Sequence, residues 1–172
     1  MRTTKTKKKK RTTSKSKRQK IIDQFDAIFS RYIRMRDSDD KGIVTCPLCW
    51  KKLPRKKAQN MHFIKRGVLK YRFDEDNCHA GCKRCNVMLD WNYIEYTRRM
   101  QRKYGIKKVD EMIYDKQPYD ISTPELEDMM CRYRGKLDNY AYKFILNINE
   151  NGKTKRKSDS DDKGMKKDIQ DR

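Results

Sequence analysis

Two Cys-x-x-Cys pairs, Cys46/Cys49 and Cys82/Cys85, stand 32 residues apart near the middle of the chain. Each pair presents two thiolates from one tight turn, and two such turns complete the four ligands of one tetrahedral zinc. Four thiolates leave no open coordination position, so the expected zinc is structural rather than catalytic. No βαβ pattern accompanies the pairs, which argues against thioredoxin-like redox chemistry. A clip at these positions also gathers His62, Asn77 and Asn86, which are otherwise distant along the chain. Two cysteines remain. Cys78 has a spacing to Cys82 that suits a knuckle less well, and Cys131 falls on a helical stripe, where a small buried side chain is expected.

A metal staple suits the rest of the composition. Of 172 residues, 35% are hydrophobic and 40% are charged, so a large apolar core is not expected. The formal net charge of +21 far exceeds what solubility requires and points to a polyanionic partner, nucleic acid first. No stretch approaches 18 consecutive apolar residues, and the basic N-terminus has no apolar segment after it, so neither a membrane span nor a signal peptide is expected. The expected location is the cytoplasm, where reduced thiols favour metal over disulfide.

The chain divides into three parts. Residues 1–20 carry eleven Lys or Arg and no acid, and are expected to form a disordered basic arm. Residues 21–146 are expected to form the folded domain. Within it, Ile21, Ile22, Phe25, Ile28, Phe29 and Ile33 fall at helical spacing over 21–36. Extended pieces are expected near Ile43–Thr45, Ala58–Ile64 and Asn77–Ala80. The pattern turns helical after Cys85 and ends at Gly105, a residue suited to a C-cap. A short helix follows over Ile106–Asp115, closed by Pro118. Ser122-Thr-Pro-Glu125 is a capping-box signature opening a helix over about 123–146. Its stripe, which includes Leu126, Met129, Met130 and Tyr133, is expected to pack on the first helix. Residues 147–172 are charged and low in apolar content, and are expected to form a flexible tail.

Both histidines of the chain, His62 and His79, lie between the knuckles. Histidine is the usual general base near neutral pH. The order Cys-x-x-Cys, His62, Asn77, Cys-x-x-Cys-Asn86 resembles the zinc-containing branch of the HNH, or ββα-metal, nucleases, a layout shared by phage endonuclease VII. The stretches Tyr32–Asp37, Cys46–Cys49, the His62 strand, Tyr71–Asn86, Asn92–Tyr96 and Tyr104–Glu111 resemble more closely the phage recombination proteins of the NinG (Rap) family. The similarity covers roughly residues 25–145, and the run from Arg72 to Asn86 is its most specific part.

The resemblance implies an α+β fold with a small ββα-metal, HNH-like core flanked by helices. It implies metal-dependent endonucleolytic cutting of branched recombination intermediates, such as Holliday junctions or D-loops, in a phage-infected cell. By position, His62 would activate water, Asn86 would ligate a divalent cation, and Asn77 would tie the loop between the two strands to the backbone and orient His62. Magnesium, or manganese in its place, suits a hard oxygen donor and a phosphate. His79 would be a strand residue near the site. Relatives of this kind carry an acid directly before the histidine or three residues ahead of it, where this chain has Met61 and Gln59. Asp74, Glu75, Asp76 and Asp90 are candidate replacements. Lys65, Arg66, Lys70, Arg72, Lys83 and Arg84 are candidate phosphate contacts. The twofold symmetry of a four-way junction makes a homodimer the natural geometry. The alternative is a non-catalytic zinc-knuckle protein that binds nucleic acid, in which His62 is merely structural.

Overall fold

The computed structural model describes the backbone of residues 14–87 and 89–164, with side chains through 143 except 89–92. Residues 1–13 of the expected arm and 165–172 of the expected tail lie outside the described residues. The described chain is mixed helix and short antiparallel strand, in the order α1 (Lys17–Arg36), β1 (Ile43–Thr45), β2 (Lys52–Pro54), β3 (Gln59–His62), α2 (Leu69–Arg72), β4 (Cys78–Gly81), α3 (Lys83–Val87), α4 (Leu89–Tyr104), α5 (Ile106–Tyr114) and α6 (Thr123–Gly164).

Helix α1 begins four residues ahead of the apolar periodicity because Ser16 caps it, its hydroxyl accepting from the Gln19 N–H at 3.2 Å. The buried face of α1 is Ile21, Ile22, Phe25, Phe29, Tyr32 and Ile33. It meets α6, as the stripe on that helix requires, and Phe73 from the turn after α2. Phe25 stacks on Phe73 with centroids 3.9 Å apart, and Phe29 meets the Tyr133 ring edge-on at 4.8 Å. Each such pair adds roughly 0.5–1.5 kcal/mol beyond its burial. Helix α6 opens with the expected capping box: Glu125 Oε2 accepts from the Ser122 N–H at 2.8 Å, and Ser122 Oγ from the Glu125 N–H at 3.4 Å. Its backbone continues to Gly164, past the boundary near 146 set by the loss of apolar periodicity. Cys131 is exposed, not buried as its position on the stripe suggested, because the contact with α1 runs through Leu126, Met129, Met130 and Tyr133 instead.

The strands form two separate two-stranded sheets, β1–β2 and β3–β4, both antiparallel. Strand β2 has no counterpart among the sequence expectations. It is made by the chain folding back after the first knuckle, pairing Thr45 with Lys52 and Ile43 with Pro54. Strand β3 pairs with β4 so that Met61 faces His79 and His62 faces Cys78. The outer side of β4 is covered from α1: the Asp37 carboxylate accepts from the Ala80 N–H at 2.7 Å, and Arg36 donates to the Cys78 carbonyl at 2.8 Å. Those bonds satisfy edge groups that a third strand would otherwise have to meet. Glu75 ties the same region to both long helices, accepting from Tyr32 and Tyr133 hydroxyls at 2.6 and 3.0 Å and from Lys136 at 2.6 Å. Gly105, at φ 88°, turns the chain from α4 into α5, a conformation open to glycine and costly for other residues. Among the described residues no helix is long and apolar enough to cross a membrane.

Candidate functional site

The Sγ atoms of Cys46, Cys49, Cys82 and Cys85 lie within 4.8 Å of one another, with Cys49 and Cys82 at 3.7 Å. A zinc–sulfur bond of about 2.3 Å sets a tetrahedral edge of about 3.8 Å, so the four thiols fit a tetrahedral ion of that size. Each pair is shaped by its own backbone. The Trp50 N–H closes the first knuckle onto the Cys46 carbonyl at 2.9 Å, and the Asn86 N–H closes the second onto the Cys82 carbonyl at 3.0 Å. Gly81 sits where a Cβ would come within 2.5 Å of the buried Met61 thioether and 3.3 Å of Cys46 Sγ. That close approach, open only to glycine, lets β4 lie against the first knuckle. It also shows why position 61 is apolar here: its side chain points into the interior beside the thiols, where a carboxylate would be desolvated next to negative sulfur.

A groove of about 870 Å³ opens on the other side of β3, between that strand, α1 and α3. His62 and Asn86 both line it, together with Gln59, Asn60, Lys65 and Arg66. His62 is held by a bond from Nε2 to the Arg72 carbonyl at 3.1 Å. A carbonyl only accepts, so Nε2 carries the proton and Nδ1 is the basic nitrogen. Burial, with help from the nearby Arg66 and Arg72 charges, pushes the imidazole below its ordinary 6.5, so it is neutral at pH 7. Asn86 donates from Nδ2 to Gln59 Oε1 at 2.8 Å, which leaves Asn86 Oδ1 as an oxygen donor. Gln59 therefore sits against Asn86 as a neutral amide.

Asn77 is fully buried and lies beneath the loop between β3 and β4, not in the groove. Its Oδ1 accepts from the Ile64 N–H at 2.6 Å, and its Nδ2 donates to the carbonyls of Ile64 at 3.1 Å and Tyr71 at 2.8 Å. Those three bonds fix the loop whose Arg72 carbonyl orients His62.

The basic candidates separate. Lys65 and Arg66 line the groove. Lys83 and Arg84 are exposed on α3. Arg72 is half-enclosed in an ion pair with Asp26, its Nε donating at 3.0 Å, and Arg66 reaches the same carboxylate. Lys70 pairs with Asp115 at 2.5 Å.

The carboxylates separate as well. Asp74 caps its own turn, accepting from the Asp76 N–H at 2.7 Å. Glu75 is bound to Tyr32, Tyr133 and Lys136, Asp76 pairs with Lys108, and the Asp90 side chain lies outside the described residues. The acids that do line the groove are Asp23 and Asp26, from α1. The sequence carried one signal for them: with Ser30 they form a polar stripe at helical spacing, opposite the apolar face.

His79 faces away from the groove. Its Nε2 accepts from the Tyr104 hydroxyl at 3.1 Å and the Lys103 ammonium at 3.2 Å, and Nδ1 faces the Tyr96 hydroxyl at 3.1 Å. Burial, then the Lys103 charge, bring it down to about 4. The unfolded chain takes up this proton below 6.5 and the folded chain only near 4. Acidification therefore destabilises the fold by about 1.4 kcal/mol per pH unit across that window, or about 3 kcal/mol in all. Urea unfolding at pH 7.5 and 5.5 checks this. His79→Gln is expected to flatten the difference, and an unchanged pH dependence would assign it to other groups.

The fold and the thiolate cluster define a small α+β protein built around four cysteines that can hold a zinc ion. A family model described as the bacteriophage lambda NinG protein matches residues 1–142, and the chain belongs to that family. The match takes in the basic arm, which lay outside the resemblance read from the sequence. Protein ninG of Salmonella phage P22 is 27% identical over 116 residues, which make up 67% of this chain and 55% of that relative. The chain thus spans little more than half the length of that curated protein. No solved structure matches the chain.

Proposed function

We propose that this chain is a metal-dependent endonuclease that cuts branched DNA during phage recombination, with a core of the HNH, ββα-metal type related in layout to phage endonuclease VII. The observation that carries the reading is the single groove shared by the neutral His62 and by Asn86. Antiparallel β3 and β4 running directly into α3 support it, because that order presents a strand histidine and a helix amide to one space.

In this reading His62 Nδ1 takes the proton from the attacking water, and the Arg72 carbonyl keeps the imidazole in the tautomer that can do so. Asn86 Oδ1 would hold a magnesium ion, which needs only one or two protein ligands because it retains most of its waters. When bound, that ion would stabilise charge on the leaving oxygen. Lys65 and Arg66 at the groove receive flanking phosphates. DNA is the partner, a homodimer matches the symmetry of a four-way junction, and the host cytoplasm is the place of action.

The test is a cleavage assay with the zinc-loaded protein and Mg²⁺ or Mn²⁺, on a four-way junction, a linear duplex and single strands of the same sequence. Cuts in the junction with the linear duplex spared are expected. Binding of junctions without cutting in either ion would favour the non-catalytic zinc-knuckle reading, which the neutral Gln59 and Met61 also suit.

A further inference from the structure

Trp50 ends the first knuckle in a conformation that a tryptophan rarely adopts. Its φ is 59°, in the left-handed region that glycine enters freely and side-chain-bearing residues avoid. It is also 66% exposed. A glycine would close the knuckle without strain, and a buried ring would gain from burial; Trp50 has neither advantage. Strain of this kind persists where surrounding structure holds it, and it clusters at functional positions.

The ring has a definite setting. The Arg99 guanidinium, from α4, lies 4.7 Å from the ring centroid. Arg99 pairs with Glu95 one turn earlier on the helix, Nε to Oε1 at 2.9 Å by distance, although Nε makes no hydrogen bond of good geometry. The indole ring is thus backed by a cation. The residue is two-thirds exposed, so much of the ring surface is open to solvent. Lys51 and Lys52 follow it directly, and Arg98 and Arg102 flank Arg99 on α4, all four exposed. An exposed ring backed by a cation, in a stretch of chain rich in exposed basic residues, matches a flat base on a phosphate backbone. An apolar protein partner would have to desolvate those charges.

We propose that Trp50, backed by Arg99, is a stacking platform for an unpaired DNA base. It would give the protein its preference for branch points, where bases are unstacked and within reach. The inference rests on DNA being the partner, as in the proposed function, but not on cleavage.

The experiment compares binding of the full chain, zinc-loaded and without added Mg²⁺, to a fork with unpaired arms and to a fully paired duplex of the same sequence. Trp50→Gly removes the ring and relieves the backbone, so the knuckle should keep its zinc. Stacking of one base is worth roughly a 5- to 150-fold change in affinity, and the fork should lose that much. The paired duplex should stay within about twofold, and Trp50→Phe should retain most of the fork affinity. Equal losses on fork and duplex, or fork binding unchanged in Trp50→Gly, would overturn the proposal. The two readings fail separately. A wild type that cuts junctions while Trp50→Gly still prefers forks refutes the platform alone. A wild type that never cuts, with fork preference lost in Trp50→Gly, refutes the nuclease and keeps the platform.

Discussion

Cys46→Ser is expected to release the zinc and unfold the knuckle region between β1 and α3, while α1 and α6 keep much of their helicity. The local strands cannot stand alone. β1 and β2 are three residues each, β3 and β4 four each, and the two sheets are not joined. An isolated two-stranded hairpin is at best marginal in water. The thiolate cluster ties the sheets together, taking two ligands from the turn after β1 and two from the passage of β4 into α3. Structural zinc in small domains contributes about 10–16 kcal/mol of apparent binding free energy, and that binding energy is also folding energy. A serine oxygen replaces a soft ligand with a hard neutral one and leaves three thiolates crowded with no full complement. The α1–α6 contact rests instead on Phe25, Phe29, Tyr32 and Tyr133, none of which touches the cluster through its ring pairs. Zinc content, circular dichroism and urea unfolding read the result. Chelation that removes zinc from the wild type and leaves the urea midpoint where it was would show that the staple is dispensable.

His62→Ala is expected to lower junction cutting by about 10²- to 10⁴-fold, the usual contribution of a positioned base, with gel-shift affinity nearly unchanged. The pH profile gives a second readout. In the proposed mechanism the neutral imidazole is the active form, and burial holds its pKa under 6.5. The wild-type rate should therefore be level above that pH and fall as pH drops through the folded-state value. The residual rate of the variant should not share that limb. An alanine variant that cuts at the wild-type rate, or a rate with the same acid limb, would take His62 out of the mechanism and leave the groove to another base.

These results bear differently on what was legible in the chain itself. The four-cysteine set was readable because Cys-x-x-Cys is a local turn whose ligand geometry follows from two residues of spacing. The helices were readable where apolar spacing and local caps agree, as at Ser122 and Gly105. Strand β2 was not, because Lys52-Leu-Pro54 has almost no alternation and exists only as the partner of β1. Helix α2 is a single turn, too short for any period to register.

Composition, motif spacing and caps by themselves determined the four-cysteine set, the helical stripes and the basic character, since each depends on neighbours a few residues away. Only the tertiary structure decided which polar groups share a space. It brought Asp23 and Asp26 from α1 opposite His62, paired Gln59 with Asn86, turned His79 away toward Tyr96 and Tyr104, and tied Arg72 and Lys70 to acids more than forty residues distant. Such pairings arise where separate elements converge, and a charged residue looks the same in sequence whether it ends in solvent, in an ion pair or against a phosphate.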